Sequence, residues 1–529
     1  MSSGALKSIS RLLDVLSDDE HAILRMYLRS FHKRGEKAVT KAMRLYEILM
    51  SKDAGRTLNE NEAMYAIYGE MGVVAFDRLI LRLRDKILET LLLDVNVKRE
   101  DAYSERARAI IEVRKRLLCA QILIERGDHE LAVFLFSAVA EKARLFEIYD
   151  DLQAALLHLY KIQSLVKGIK FAQKYLDEYK HSEYCRHAVA EAEISYHNLI
   201  VRDDYSTKGE TGIQELEATI EELAKYYEAS NSAVVGYYYY YLKAHLYEII
   251  DDYPRVRKAL YEILHLLEKR QSIYTETRKG LVLASIAENA LYSFQFEQAL
   301  NNGRESLKYL KTGSFNYQHA KEVIILSLFY SGEYEKALDN INSVLAQDIE
   351  TIGEFRKGKY DYFKACTLFM LKRYEQAGQI LAVINPIEND TEGWNIGIRI
   401  LTIMNTLEVL QDDEASGRIH NLNMHLRTIS KDKGKQGRAR LIYEILRDIV
   451  KYHFDYRQVF ENAKLVIENL DRADGNNAWK IRSSELVIFH LWFVAKATST
   501  PFVQKFPVQA SAKSSVRILG AMWNENYPV

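Results

Sequence analysis

Small and apolar residues recur along this chain in a fixed relation: a small residue, an apolar residue four positions on, and another seven positions on, nine times in succession. The small slot holds Ala132, Ala172, Leu216, Ala259, Ala299, Ala337, Ala377, Ala415 and Ala463, at spacings of 40, 44, 43, 40, 38, 40, 38 and 48 residues. The second slot holds Phe136, Leu176, Ile220, Ile263, Gly303, Ile341, Leu381, Ile419 and Ile467. The third holds Val139, Tyr179, Leu223, Leu266, Ser306, Val344, Ile384, Leu422 and Leu470, so Gly303 and Ser306 break the pattern. Residues three and four apart share one face of an α-helix, and each occurrence therefore marks a helix with a buried stripe. A period near 40 leaves room for a second helix per unit and means a repeat array. One helix pair cannot bury its own stripe; stacking covers each unit with the next and yields an α-solenoid. Alanine in the small slot lets two helices approach without a steric wedge, and it has the best helix propensity.

The stretch LSLFYSGEYEKALDNINSVL, residues 326–345, sets Gly332 at a turn, Tyr334 at the start of the second helix and Ala337 three residues later. LFMLKRYEQAGQIL repeats this with Tyr374 and Ala377, and Phe296 with Ala299 and Phe460 with Ala463 keep the offset. Twelve residues before the small slot stand Ala120, Ala287 and Ala365, with Tyr247 and Ile325 in the same place elsewhere. Over about residues 105–495 the chain resembles the tetratricopeptide-repeat family in a divergent form. Its period is longer than the family's (about 34 residues), the early tryptophan is missing and the closing proline is mostly absent. The resemblance implies an all-α fold, an α-solenoid of about nine tetratricopeptide-like helical hairpins over residues 101–497, with a concave face that binds a peptide or protein.

Residues 1–100 follow another pattern and read as an N-terminal helical module. Ser17-Asp18-Asp19-Glu20 is a capping box opening a helix through Leu24, Met26 and Leu28, with further helices expected near Lys37–Met50, Asn61–Tyr68 and Val74–Leu93. This order resembles the winged helix-turn-helix segment that precedes helical repeats in some bacterial activators. That resemblance implies that Arg78, Arg82, Arg84 and Lys86 enter a major groove. The simpler reading is a cap with solvated arginines, since nothing after Leu93 resembles a β-wing. At the far end, SSELVIFHLWFVAKA reads as the last helix. Pro501 and Pro507 amid small and polar residues then demand an extended segment, so residues 498–529 form a tail. Its Ile518, Leu519, Met522 and Trp523 lie on a short amphipathic turn that either caps the final repeat or docks on a partner.

Composition narrows the function. Only Pro254 and Pro386 interrupt the first 500 residues, which fits a body made almost wholly of helix. With 72 basic and 73 acidic side chains the net charge of −1 provides no global field for a nucleic acid or an anionic membrane. Cys119, Cys185 and Cys366 are far apart in helical patterns, pointing to a reducing compartment. With no apolar core of signal-peptide length at the start and no membrane-spanning run, a cytoplasmic protein with no membrane contact is expected. No Gly-rich phosphate loop, HExxH, CxxC or nucleophile elbow occurs, so no catalytic residue, cofactor or metal is expected. His181, Cys185 and His187 come nearest to a metal group, but Cys185 and His187 point to different helical faces and a fourth ligand is lacking.

Two features are candidates for partner contact. The loop SKDKGKQGRAR gathers Lys431, Lys433, Lys435, Arg438 and Arg440, fit for a phosphate or an acidic partner or else a plain solvated linker. Tyr237, Tyr238, Tyr239, Tyr240 and Tyr241 are consecutive, and five helical positions sweep more than a full turn. At least two of these rings are therefore expected to be exposed on the concave face; the alternative is that Tyr238, Tyr241 and Tyr247 fill gaps between helices. The whole reads as a non-enzymatic scaffold or adaptor for a protein or peptide. The second reading is a transcriptional regulator with an N-terminal DNA-binding module and a signal-sensing array.

Overall fold

The computed structural model describes residues 3–30, 40–51, 60–70, 73–93, 103–202, 209–346, 353–388, 390, 393–410, 412–428, 437–472, 475 and 477–504. Among these described residues lie 24 α-helices and no strand. The backbone divides into two compact units, Met1–Glu112 and Val113–Val529, a boundary somewhat later than the one expected near residue 100.

The first unit contains α1 (Ser3–Val15), α2 (Asp18–Ser30), α3 (Lys41–Met50), α4 (Glu60–Tyr68) and α5 (Val73–Leu93). The capping box forms at α2: the Ser17 amide donates to Glu20 Oε2 at 2.8 Å, and the Glu20 amide donates to Ser17 Oγ at 3.4 Å. Helix α1 was not anticipated; its stripe of Leu6, Ile9 and Leu13 joins Leu24, Tyr46, Leu83 and Ile87 in one core.

The second unit is an all-α solenoid of tetratricopeptide-like hairpins. It starts within α6 (Glu105–Glu125), which turns into α7 (His129–Leu145), and continues with α8 (Tyr149–Lys167) and α9 (Ile169–Arg202). Helix α9 is 34 residues long and serves twice. Its start packs on α8, while its later residues Ala188, Ala192 and Leu199 share a core with Leu216 and Leu223 of α10 (Glu210–Ser230). Four hairpins follow: α11 (Ala233–Ile249) with α12 (Tyr253–Lys269), α13 (Glu276–Tyr292) with α14 (Phe296–Ser306), α15 (Phe315–Tyr330) with α16 (Tyr334–Leu345), and α17 (Glu354–Met370) with α18 (Tyr374–Val383). Then come α19 (Trp394–Glu408) with α20 (Asp412–Thr428), and α21 (Gly437–Lys451) with α22 (Tyr456–Asn462) and α23 (Lys464–Asp471); α24 (Phe489–Thr498) ends the array.

All nine small-slot residues are buried, the most exposed being Ala463 at 5 %. The turns explain the register. Gly127, Asp251, Phe294, Gly332 and Lys372 take the left-handed conformation, and the next amide closes back onto a carbonyl five residues earlier, as in Glu333 to Leu328 at 2.9 Å. That next residue is the N-cap of the second helix, and the small slot falls four positions beyond it, at Ala132, Ala299, Ala337 and Ala377. Measured from the N-caps Asp252 and Asp455, two slots move: Val256 and Val459, both buried, stand where the spacing pattern had put Ala259 and Ala463. The first helical position is then aromatic in five hairpins, at Tyr253, Phe296, Tyr334, Tyr374 and Tyr456, and Phe460 drops out of that set. The break at Gly303 is a fitted one, because a Cβ there would stand 2.9 Å from Ile324 Cγ1.

First and second helices differ in kind. Helix α14 buries only Ala299, Gly303 and Ser306, whereas α13 is buried without a gap from Gly280 to Leu291. A helix apolar on every side has neighbours on every side. The last helix is shorter than expected: it starts at Phe489, and Ser483–Ile488 is not helical. The Ile488 amide is taken by Gln504 Oε1 at 2.7 Å and the Phe489 amide by Glu485 Oε1 at 2.8 Å, so neither makes a helical bond to a backbone carbonyl four residues back.

Candidate functional site

Between α23 and α24 the chain leaves the helical pattern, and residues 477–488 run back along the first helices of earlier hairpins as a finger. Its neck is held by Arg438. That guanidinium donates to both Glu485 carboxylate oxygens, at 2.6 and 3.1 Å, and to the carbonyls of Leu470 and Asn477, each at 2.8 Å. Along the shaft, Trp479 meets the Tyr330 ring edge-to-face at 5.8 Å, and the Tyr362 hydroxyl donates to the Ser484 carbonyl at 2.7 Å. Gly397 makes this approach feasible, since a Cβ there would lie 2.2 Å from the Ser484 oxygen. The tip is a turn in which the Ser483 amide donates to the Lys480 carbonyl at 2.8 Å. The Trp479 indole N–H ties the two sides together by donating to the Glu485 carbonyl at 2.8 Å.

Arg482, near this tip, enters a well made by α11, α12 and α13. Its guanidinium pairs with Asp251 and lies over the rings of Tyr292 and Tyr253, at 5.3 and 5.9 Å. Lys480 approaches Asp251 at 3.7 Å. Two more carboxylates face the well. Glu288 is held below the usual glutamate range: burial pushes it up, but His319 at 3.4 Å, a bond from the Tyr292 hydroxyl at 2.6 Å and Arg482 outweigh that. Glu248 is pushed well above its usual value by burial, with Glu288 and Asp251 adding to the effect against Arg482. Its Oε2 has no hydrogen-bond partner among the described residues, and a cavity of about 10 Å³ adjoins it.

A second concavity of about 690 Å³ lies farther toward the array's start, lined by Arg144, Tyr149, Lys269, Arg270, Tyr274 and Lys279 among others. Beneath it Glu147 caps α11 from a distant hairpin, accepting from the amides of Ala233 and Val234 at 3.0 and 3.4 Å and from the hydroxyls of Ser232 and Ser272. Arg144 is committed to Glu178, at 2.7 and 3.0 Å.

The sequence candidates fall elsewhere. Tyr237 is buried and Tyr238, Tyr239, Tyr240 and Tyr241 are half-buried, so the expectation of two exposed rings is not met. Helix α11 packs against α9, α10 and α12, and the rings find partners on several helices: Tyr196 of α9 for Tyr238 and Tyr241, Tyr227 of α10 for Tyr239 and Tyr240, Arg278 of α13 for Tyr237. Arg438 is turned inward to the finger's neck, because four acceptors converge on it. Lys431, Lys433 and Lys435 lie outside the described residues, as do Ile518, Leu519, Met522 and Trp523. Arg78, Arg82 and Arg84 are exposed on α5, while Lys86 is bonded to Glu89 and Tyr27 at 2.8 and 2.9 Å. Cys185 and His181 approach to 3.5 Å, and His187 turns instead to Tyr226. Among the described residues no group of three metal-ligating side chains forms, and no helix is long and apolar enough to cross a membrane. The finger itself went unforeseen. Its one sequence signal was a long aperiodic stretch within a strictly periodic array, and the apolar run LVIF disguised half of it as helix.

No protein-family model matches the chain, and no curated protein does. Among solved structures, the apo form of RapI is 17% identical, covering 68% of this chain and 86% of that one, with a TM-score of 0.37. A signal transduction ATPase with numerous domains and a tetratricopeptide repeat sensor, from Pyrococcus horikoshii, is 14% identical over 86% of this chain and 68% of its own, at a TM-score of 0.40. The tetratricopeptide domain of P58(IPK) is 13% identical over 73% of this chain and 99% of its own, at 0.22. With likeness this distant, function is argued from this chain's own geometry.

Proposed function

We propose that this protein is a non-enzymatic scaffold that binds a protein or peptide through the surface formed by the first helices of its hairpins and the turns that follow them. One observation carries the reading: that surface accommodates the irregular segment 477–488 through residues of five successive hairpins, from Asp251 and Tyr253 through Tyr292, Tyr330 and Tyr362 to Gly397. A wall that supplies a charged well, an aromatic edge and a hydroxyl donor to one irregular segment has the chemistry that peptide recognition uses. Apolar side chains left in solvent where α8 meets α9 add a second contact area, with Leu165, Val166 and Ile169 exposed at 89, 70 and 65 %.

The experiment is affinity capture from native lysate by the full chain, in several growth states, beside a variant carrying Tyr253→Ala and Tyr292→Ala. A stoichiometric protein or peptide retained by the parent and lost by the variant supports the reading. Recovery of none in any state counts against it. The regulator reading is tested by duplex binding of the full chain with and without Arg82→Glu and Arg84→Glu; no specific observation favours it, and the first unit holds no strand among its described residues.

A further inference from the structure

The scaffold reading leaves the finger without a task of its own. We propose that the acidic and aromatic well around Asp251 is a receptor for an arginine presented in trans on a turn of a partner, three residues after an aromatic side chain, and that residues 477–488 fill it as an intramolecular surrogate that such a partner displaces. This rests on the scaffold reading and names the chemistry of its ligand.

Three observations converge. The finger is built as a ligand: its tip turn and the Trp479 to Glu485 tie fix its shape from within, so it enters the wall preorganised. The described irregular stretch 477–488 is far longer than the turns that join helices within the hairpins of this array, and binding segments concentrate in connections of that kind. The well also holds a buried polar group that the finger leaves unused. Asp251 pairs with Arg482 and Lys480 and Glu288 with His319, whereas the buried Glu248 keeps an oxygen without a partner among the described residues, beside a small void. A buried ion pair is weak evidence for stability, and a joint meant only to hold would be served as well by apolar packing. The mouth is not sealed, because the Lys480 side chain remains 34 % exposed beside Asp251.

The trans probe is a cyclised, fluorescein-labelled peptide with the sequence of residues 478–486, AWKIRSSEL, read by anisotropy against the full chain. In the parent it competes with a tethered copy at millimolar effective concentration, so binding is weak; Arg482→Met in the protein unseats that copy and strengthens binding about tenfold or more. Adding Asp251→Asn, or replacing the peptide's arginine with methionine, abolishes the gain. A cooperatively folded Arg482→Met chain that binds no more tightly than the parent overturns the proposal and leaves the finger a fixed staple. Where that variant fails to fold, hydrogen exchange on the parent decides. Millimolar peptide accelerates exchange of the amides of residues 477–488 if they are displaced, and unchanged exchange overturns the idea. Lysate capture requires no displacement by this peptide. A partner recovered there with unchanged peptide binding rejects the surrogate and keeps the scaffold; tight peptide binding with no captured partner does the reverse.

Discussion

Gly397→Ala sets two known effects against each other. Inside a helix the change ordinarily gains about 1 kcal/mol from propensity alone. Here the new Cβ would sit 2.2 Å from the Ser484 carbonyl oxygen and 2.8 Å from the Tyr362 hydroxyl, against ordinary contacts of 3.4 Å or more. The finger must withdraw by over an ångström. Its bond from Tyr362 is then lost, for about 1 kcal/mol, and a buried phenol left with only the weak Cys366 thiol as a partner costs roughly 1–3 kcal/mol more. The steric and polar losses exceed the propensity gain, and a net destabilisation of about 1–3 kcal/mol follows. Gly417→Ala is the control, since a Cβ there meets nothing within 4 Å and propensity acts alone. Urea midpoints of the two variants should move in opposite directions, and only Gly397→Ala should speed exchange of amides 477–488. If both variants raise the midpoint and neither alters that exchange, the finger does not press on α19 and the reasoning fails.

Other outcomes follow from the same structure. Glu248→Gln should gain stability relative to the parent as pH rises from 5 to 8. A carboxyl held above its unfolded value binds its proton more tightly in the folded state, so the parent loses stability as pH climbs past about 4.5, and urea midpoints across that range should widen in favour of the variant. Lys372→Gly should stabilise by about 0.5–1 kcal/mol, because lysine stands in a left-handed turn with φ of 59°; a lowered midpoint would contradict the turn assignment. Ala337→Leu should cost about 1–3 kcal/mol by overpacking a site with no exposed surface, where Glu335→Leu on the same helix changes little. His245 is pushed down to about 4 by burial, so this group should contribute a loss of stability as pH falls from about 6.5 toward 4, and His245→Gln should flatten that part of the acid limb.

The helical array was legible because alanine at a close crossing leaves a mark at fixed intervals, and the nine buried slots carried it. Register slipped at Val256 and Val459, where a valine tolerates the same crossing and an alanine three or four residues later imitated the slot. The site was much less legible. Tyr237 to Tyr241 looked like a display of contact residues, yet α11 has neighbours on several sides and absorbs all five rings. Arg438 looked like part of a solvated basic loop, and its acceptors come from carbonyls and a glutamate tens of residues away in sequence. Asp251 and Arg482 are 231 residues apart. Periodicity reports neighbours along the chain and is silent on a segment that doubles back.

Helix α9 imposes a rule on how this protein can be cut or lengthened. Since Ala172 and Ala192 sit on one unbroken rod and serve different hairpins, no break point separates the second module from the third. Elsewhere a repeat can be excised at its turns and the ends rejoined; across residues 169–202 a deletion takes two modules or neither, and rotates everything downstream by about 100° for each residue removed. Libraries of shortened arrays should therefore tolerate junctions at Gly127 or Gly332 and reject those placed within that rod.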